Sequence, residues 1–264
     1  MPEHATIIDT HVHLRGSHDP AAVLDGAVAH SDTHLSRLGA RTGMCVLMLS
    51  ESANEHGFDR LAAAHKPVGR WLFDPEGEPM SLVGTRDDDR RVVLIRGQQI
   101  ATADGLEILT LACDTRLPDN EPIRDSLEQA LTLNALVVLP WGFGKWTGKR
   151  KGLMLDLVSE FGPRGVALGD SAARPMGLPD GPIFARAREL GVPILPGTDP
   201  LPIAPHQKRA GRYALWLEDR LDSWTPAADL RERLSEPLPG DSTIGKRDGV
   251  VGAVASQIRL RLGK

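Results

Sequence analysis

Short apolar runs recur along the chain between segments of helical periodicity, and this alternation constrains the fold more than any other feature. Strands that alternate with helical patterns are typical of βα units around a largely parallel sheet. The sequence therefore predicts the α/β class. The runs with the pattern of strands are Thr6–Thr10, Met44–Leu49, Val92–Ile95 with Gln99–Ala103, Leu106–Cys113, Ala135–Pro140, Val166–Gly169, Pro193–Pro196 and Tyr213–Leu217.

Helices with recognisable starts lie between these strands. Asp19 is a suitable N-cap before Pro20 and a helix over Ala21–Ala29, because proline is favoured at the first helical position. Apolar residues at helical spacing predict further helices over Ile123–Asn134 and Gly181–Leu190.

The length of the chain, 264 residues, fits one closed architecture. An α/β barrel takes roughly 250 residues as a single domain, and the regular order of strand, loop and helix from residue 135 to 219 favours a barrel or a doubly wound sheet. We expect a single-domain, TIM-like (distorted) α/β barrel over residues 1–264, with the barrel core at 5–219 and a C-terminal helical closure at 220–264. The segment Asp74–Asp89 is predicted to be a surface loop.

The charge balance narrows the class of partner. The chain has 31 basic and 35 acidic side chains, a formal charge of −4, and no long basic stripe. This argues against nucleic acid or a membrane surface as the partner and favours a small-molecule substrate. The N-terminus has no secretory pattern and no long apolar run follows, so we expect a cytoplasmic protein. The oligomeric state stays open.

Histidines are concentrated at the start of the chain. Eight of the nine lie within the first 65 residues, and only His206 lies beyond them. A metal site that draws on later parts of the chain must therefore use carboxylates, backbone or water there.

The strongest site pattern is an apolar strand that runs directly into His11-Val12-His13. Alternation along a strand sends Asp9, His11 and His13 to one face, so both imidazoles can reach one ion. The pair also lies at the C-terminal end of the strand, where parallel barrels place their ligands. We expect a divalent metal ion here, Zn, Mn or Fe. A structural or surface pair of histidines is the alternative.

Two acids are candidate partners for these histidines. Asp199 follows the strand Pro193–Pro196 and is a candidate metal ligand or a group that orients and deprotonates water. Its alternative role is to cap the turn Gly197-Thr198-Asp199-Pro200. Glu107 follows a predicted hairpin turn, so it can bridge or cap a metal centre or simply face solvent.

Other residues that follow strands are candidates for substrate binding and catalysis. The loop after Ala135–Pro140 contains Trp141 and Lys145 among glycines, a composition suited to covering a substrate and binding an anion. Asp170 can be a ligand or a catalytic acid, and Arg174 can bind a substrate anion. Glu51, just past Met44–Leu49, is a substrate-binding candidate, with loop capping as the alternative.

The motifs resemble those of the PHP-type metal-dependent hydrolases. The likeness rests on His11-Val12-His13, on Gly105-Leu106-Glu107-Ile108 and on Gly197-Thr198-Asp199, in order over roughly residues 5–215. The resemblance implies a distorted α/β barrel, phosphoesterase activity and a metal ligand at Glu107. The segment Asp9–Arg15 also looks like the first motif of the amidohydrolase superfamily, which acts mostly on C–N bonds and esters.

Both families use late-strand histidines that this chain does not have. The PHP His-Pro pair corresponds to Pro140-Trp141, and the histidine two residues after the final Asp is Leu201. We expect a metal-dependent hydrolase that cleaves a phosphate ester or related anionic small molecule with metal-activated water, which Asp199 positions. The alternatives are an amidohydrolase-like C–N or ester hydrolase, and a degenerate barrel that binds a small anion without turnover.

Overall fold

A computed structural model of the chain describes residues 1–74, 77–240 and 242–262. Its strands are β1 His4–Val12, β2 Thr42–Leu49, β3 Trp71–Asp74, β4 Ser81–Arg86, β5 Arg91–Ile95, β6 Gly97–Ala101, β7 Glu107–Leu111, β8 Leu136–Pro140, β9 Ala167–Ser171, β10 Ile194–Gly197, β11 Tyr213–Leu217 and β12 Thr243–Gly245. Its helices are α1 Pro20–Leu38, α2 Gly57–Ala62, α3 Ile123–Thr132, α4 Lys149–Phe161, α5 Pro182–Glu189, α6 Pro226–Ser235 and α7 Val250–Arg261. The α/β class is confirmed.

The described strands form two mixed sheets. The larger sheet has the order β12-β11-β1-β2-β5-β4-β3, and its parallel pairs are β1 with β2 and β2 with β5. The smaller has the order β10-β9-β8-β7-β6, with β8, β9 and β10 parallel. The remaining neighbours run antiparallel, so the largely parallel sheet expected from the sequence is not formed.

The prediction of a TIM-like barrel of PHP type is wrong, because neither sheet closes on itself or on the other through a continuous ladder. At the junction between β10 and β1, the Gly197 carbonyl accepts from the Ala172 N–H, on the side of β9. The backbone polar groups of the preceding residue, Pro196, therefore face β1. Proline has no N–H to donate, and the Pro196 carbonyl instead accepts from the Thr10 hydroxyl at 3.0 Å. At the other junction, the sheets meet through a single bridge between Glu51 and Gln98.

The apolar core has three layers. The space between the sheets holds side chains such as Ile8 and Met48 from one sheet and Leu109 and Val138 from the other. Helices α3, α4 and α5 cover the outer face of the smaller sheet. Helices α1 and α2 cover part of the larger sheet. The C-terminal ends of β1, β2, β8, β9 and β10 carry the polar residues that the sequence singles out, except Glu107, which begins β7.

Local predictions from capping and hairpin patterns are confirmed. Asp19 caps α1 by accepting from the Ala21 N–H at 3.0 Å, and β6 and β7 form the expected antiparallel hairpin. Helix α1 continues beyond Ala29 to Leu38, because Ser31 and His34 are buried on the face that covers the sheet.

The region predicted as a surface loop, Asp74–Asp89, contains a six-residue strand. Residues 81–86 form β4, which pairs with both β3 and β5, while residues 75 and 76 lie outside the described part of the chain. The Gly, Pro and Asp content of the segment hid this hairpin. Likewise, residues 220–262 contain β12 in addition to the two helices α6 and α7, and β12 extends the larger sheet.

Candidate metal centre

Strand β1 delivers both histidines to the interior of the protein. All nine residues of β1 are buried, and His13, just past its end, is fully inaccessible. The pairing of β1 with β2 shifts register between Asp9 and Val12. This irregularity separates Asp9 from the histidines, which the alternation rule placed on the same face.

The buried Asp9 carboxylate fastens the neighbouring loops instead. It accepts from the backbone N–H groups of Thr198 at 2.8 Å and Gly211 at 2.7 Å, and from the Thr198 hydroxyl. Burial raises the pKa of Asp9 to about 6, against the opposing effect of these hydrogen bonds. Asp9 therefore connects β1 to the segment between β10 and β11, which contains Asp199.

Three side chains point their ligand atoms at one another. The Nε2 atoms of His11 and His13 lie 3.2 Å apart, and each lies 3.7 Å from Oδ1 of Asp199. Ligand atoms around a tetrahedral zinc ion at 2.0–2.1 Å are separated by about 3.3 Å. The triangle therefore has the dimensions of one face of a metal coordination shell, and these three residues form a group that can hold a metal ion.

A close contact between β10 and β1 brings Asp199 to the histidines. A Cβ on Gly197 would lie only 2.5 Å from Cβ of His11, so glycine is needed for the two strands to approach. The Asp199 N–H then donates to the His11 carbonyl at 2.8 Å. Asp199 has a left-handed backbone, φ 45°, a conformation that Asp tolerates better than most residues.

A second set of polar residues orients His13. Its Nδ1 donates to Oε2 of Glu55 at 3.1 Å, and Glu55 also pairs with Arg15 at 3.2 Å. A carboxylate on one ring nitrogen leaves the other nitrogen with its lone pair directed to the metal position. Burial lowers the pKa of His13, which favours the neutral form of the ring that a metal ligand needs.

The charges around the group favour ionised acids. Although burial opposes ionisation, the contacts with His13, Ser52 and Arg15 lower the pKa of Glu55 to about 2. Burial also opposes ionisation of Asp199, but the neighbouring imidazoles of His11 and His13 and the cations Arg15 and Lys145 lower its pKa overall.

Gln99 of β6 adds an oxygen beside the histidines. Its Oε1 lies 3.2 Å from Nε2 of His11. Four polar atoms thus lie around one small space: the two imidazole Nε2 atoms, one Asp199 oxygen and the Gln99 oxygen. When the neutral imidazoles carry their protons on Nδ1, all four atoms are acceptors, an arrangement suited to a cation.

The sequence prediction did not include Glu55, Arg15 or Gln99 among its candidates. A usable signal for Glu55 was present: Ser52 and Glu55 have the spacing of a capping box, and the Ser52 N–H donates to the Glu55 carboxylate at 2.9 Å. Nothing in the local sequence around Gln99 distinguishes it from an ordinary strand residue.

Glu107 and Lys145 form an ion pair with each other. Glu107 is the first residue of β7 and does not belong to the group of three convergent ligands. Lys145 comes from the loop after β8, and its charge acts on Asp199. The pair therefore places a cation near the candidate metal position while neutralising the predicted ligand.

Asp170 and Arg174 lie in a separate buried cluster. The Arg174 guanidinium makes two hydrogen bonds to Asp170, at 2.7 and 2.8 Å, and the Tyr213 hydroxyl donates to the same carboxylate at 2.8 Å. Arg174 also pairs with Asp180 at 2.8 Å. Both predicted residues are therefore saturated by protein partners, and Asp170 is not in the convergent ligand group.

Glu51 and Trp141, the remaining two candidates, differ in their surroundings. One oxygen of the buried Glu51 accepts from the Phe58 N–H at 2.9 Å at the start of α2, as the capping alternative anticipated. Trp141 is half-buried in the loop after β8 and packs edge-on against Phe143.

Comparisons with known proteins add a similarity of fold. No described protein family matches the chain, and no curated protein matches it. Among solved structures, PsfC from Pseudomonas syringae PB-5123 aligns with a TM-score of 0.58 and 17% identity, covering 99% of this chain and 100% of that one. The lesion-specific endonuclease PfuEndoQ from Pyrococcus furiosus aligns with a TM-score of 0.49 and 15% identity, and the alignment covers 89% of this chain and 57% of that one.

The likeness to PsfC extends over the whole length of both chains and concerns the fold. None of the helices in the described residues has the length and apolar character required to span a membrane.

Proposed function

We propose that this protein is a metal-dependent hydrolase that cleaves a phosphate ester or a related anionic small molecule. The observation that carries the proposal is the convergence of two imidazole nitrogens and one carboxylate oxygen at 3.2 to 3.7 Å. The motif resemblance to PHP-type hydrolases, through His11-Val12-His13 and Gly197-Thr198-Asp199, supports the same class.

The number of ligands suits catalysis. Catalytic zinc sites use three protein ligands and keep a position open, whereas structural sites use four. Two histidines and one carboxylate are also a recurrent set for Fe(II), so Zn, Mn and Fe all remain candidates. When bound, the ion would lower the pKa of water and polarise the bond that is attacked.

The surrounding residues supply binding and proton handling. Asp199 is ionised, so its carboxylate can orient a water molecule and take up its proton. Lys145 and Arg15, whose charges act on Asp199, can bind an anionic substrate group. Glu107 holds the Lys145 ammonium group in place through their ion pair.

Elemental analysis of the purified protein tests the metal site. We expect about one equivalent of Zn, Mn or Fe in the wild type and little in the His11→Ala and His13→Ala variants. His65→Ala, which removes an exposed histidine, is the matched control and should retain the metal. A wild-type protein that takes up none of these metals after their addition contradicts the proposal.

Turnover distinguishes the alternatives once metal is bound. Hydrolysis of a generic aryl phosphate, lost in His13→Ala, supports the phosphoesterase function. Hydrolysis of a generic amide or lactone instead would favour the amidohydrolase-like alternative. A metal-loaded protein that binds phosphate without hydrolysing any ester would favour the non-catalytic alternative.

A further inference from the structure

The loop after β8 lines an apolar cleft. We call it the aromatic cleft and define it by six of its lining residues: Trp141, Phe143, Trp146, Leu178, Pro182 and Phe184. Its volume is about 530 Å³, within the range of roughly 300–1,000 Å³ typical of small-molecule sites. The proposed hydrolytic function makes no use of this cleft.

Two aromatic pairs form its walls. Trp141 and Phe143 meet edge to face with ring centroids 6.3 Å apart, and Trp146 packs on Phe184 at 5.2 Å. Trp146 and Phe184 belong to the core cluster under α4 and α5, so this wall is rigid. Phe143 is 44% exposed and Leu178 is 47% exposed, so the mouth of the cleft offers large apolar side chains to a ligand.

The charges at the cleft restrict what it can bind. The guanidinium of Arg174 lies 4.6 Å from the Phe184 ring centre, but Asp170 and Asp180 already neutralise it. Lys151 is the other cation in the lining, and it is exposed. The cleft therefore suits an uncharged, flat apolar group, because aromatic walls bind ring faces and edges well.

The same loop connects the cleft to the candidate metal centre. Lys145, which the proposed function assigns to anion binding, forms an ion pair with Glu107, while its neighbour Trp146 packs on Phe184 in the cleft wall. Gly144 and Gly148 have left-handed backbones, φ 73° and 58°, which allow the sharp reversals that send neighbouring side chains to opposite sides. A ligand that contacts this loop can present an anionic group to Lys145 and an apolar group to the cleft.

We propose that the aromatic cleft binds the apolar part of the substrate, which makes the substrate an anionic ester of an aromatic or similarly flat apolar group. This inference rests on the proposed hydrolytic function for the position of the anionic group. The cleft itself can be tested without metal or turnover.

Calorimetric titration with two matched, non-hydrolysable probes tests the proposal. Naphthalen-1-ylphosphonate and methylphosphonate carry the same anionic group and differ in the apolar part. With the zinc-loaded protein, we expect the naphthyl compound to bind at least about tenfold more tightly. Phe143→Ala and Leu178→Ser should reduce this preference to less than about threefold, while Leu72→Ala, which removes an exposed apolar side chain of β3, should leave it unchanged.

A titration of the protein with 1-naphthol, without added metal, separates the two proposals. Binding of 1-naphthol that is weakened by Phe143→Ala supports the cleft even if no metal binds. Equal affinity for the two phosphonates, or naphthyl binding that Phe143→Ala leaves unchanged, overturns the inference while the hydrolytic function can stand. Circular dichroism and thermal unfolding of each variant confirm that it is folded.

Discussion

Asp199 and Asp170 each occur at the C-terminal end of a parallel strand, yet their carboxylates have very different partners. Asp170 accepts three hydrogen bonds, two from the Arg174 guanidinium and one from Tyr213. Asp199 instead directs an oxygen to two imidazole nitrogens at 3.7 Å, a distance too long for a hydrogen bond. The first carboxylate is saturated by protein groups, and the second has capacity left for a cation.

The difference shows that an acid after a late strand is not by itself a functional signal. Asp170 is buried with a cation four residues away in the sequence, so its charge is compensated locally. Asp199 is surrounded by residues from β1 and from the loop after β8, so its environment is assembled from distant parts of the chain. We expect substitutions at the two sites to separate stability from metal binding.

The largest effect is expected on stability at Asp170. Asp170→Asn leaves the buried Arg174 with only Asp180 as an ionised partner, and breaking a buried ion pair costs about 3–5 kcal/mol of unfolding free energy. Urea unfolding measures this loss, and metal affinity should stay within about threefold of wild type. Glu128→Gln, which breaks an exposed pair with Arg164, should change the stability far less, because solvent screens exposed ion pairs. A large loss of metal affinity in Asp170→Asn would show that the Asp170 cluster also contributes to metal binding.

Acid should lower the unfolding free energy of the protein by protonating Glu55, the partner of His13. Because its pKa falls from an ordinary value of 4.5 to about 2 on folding, Glu55 contributes stability that is fully present above pH 4.5. That contribution, about 3 kcal/mol at most, is lost as the pH falls from 4.5 toward 2. Urea unfolding between pH 6 and pH 3 should show a steeper fall for the wild type than for Glu55→Gln. Identical slopes would contradict the pairing of Glu55 with His13.

Asp199→Asn should have the reverse pattern of Asp170→Asn. Asparagine tolerates the left-handed backbone at this position, so we expect a change of less than about 1 kcal/mol in unfolding free energy. Loss of the carboxylate should weaken zinc binding by at least about 100-fold, the upper end of what removal of a residue behind a ligand costs. Competition with a chromophoric chelator measures the affinity. Unchanged affinity would remove Asp199 from the ligand set.

The smallest effect is expected at Glu51. Glu51→Gln weakens the acceptor for the Phe58 N–H at the start of α2, and loss of such a cap costs at most about 1 kcal/mol. Metal affinity should be the same as in wild type. A change in affinity together with unchanged stability would return Glu51 to the role of a substrate or metal contact.

Much of the secondary structure could be predicted from local patterns. The strand Tyr213–Leu217 was predicted with the bounds it has in the structure, and most other predicted strands overlap the observed ones within two or three residues. Closure could not be predicted, because it depends on whether strand edges meet with donors and acceptors in register. At Pro196 the donor is missing, and at Glu51 the edges meet for one bridge only.

The sequence by itself determined that two histidines stand at the end of a buried first strand, and that a metal site formed with later parts of the chain must use carboxylates, backbone or water there. Only the tertiary structure decided which acids join them. Gly197 lets β10 come against His11, which brings Asp199 to the imidazoles, whereas Lys145 engages Glu107. The physical reason is that strand position follows from local apolar periodicity, while the partner of each charge depends on contacts between residues far apart in the chain.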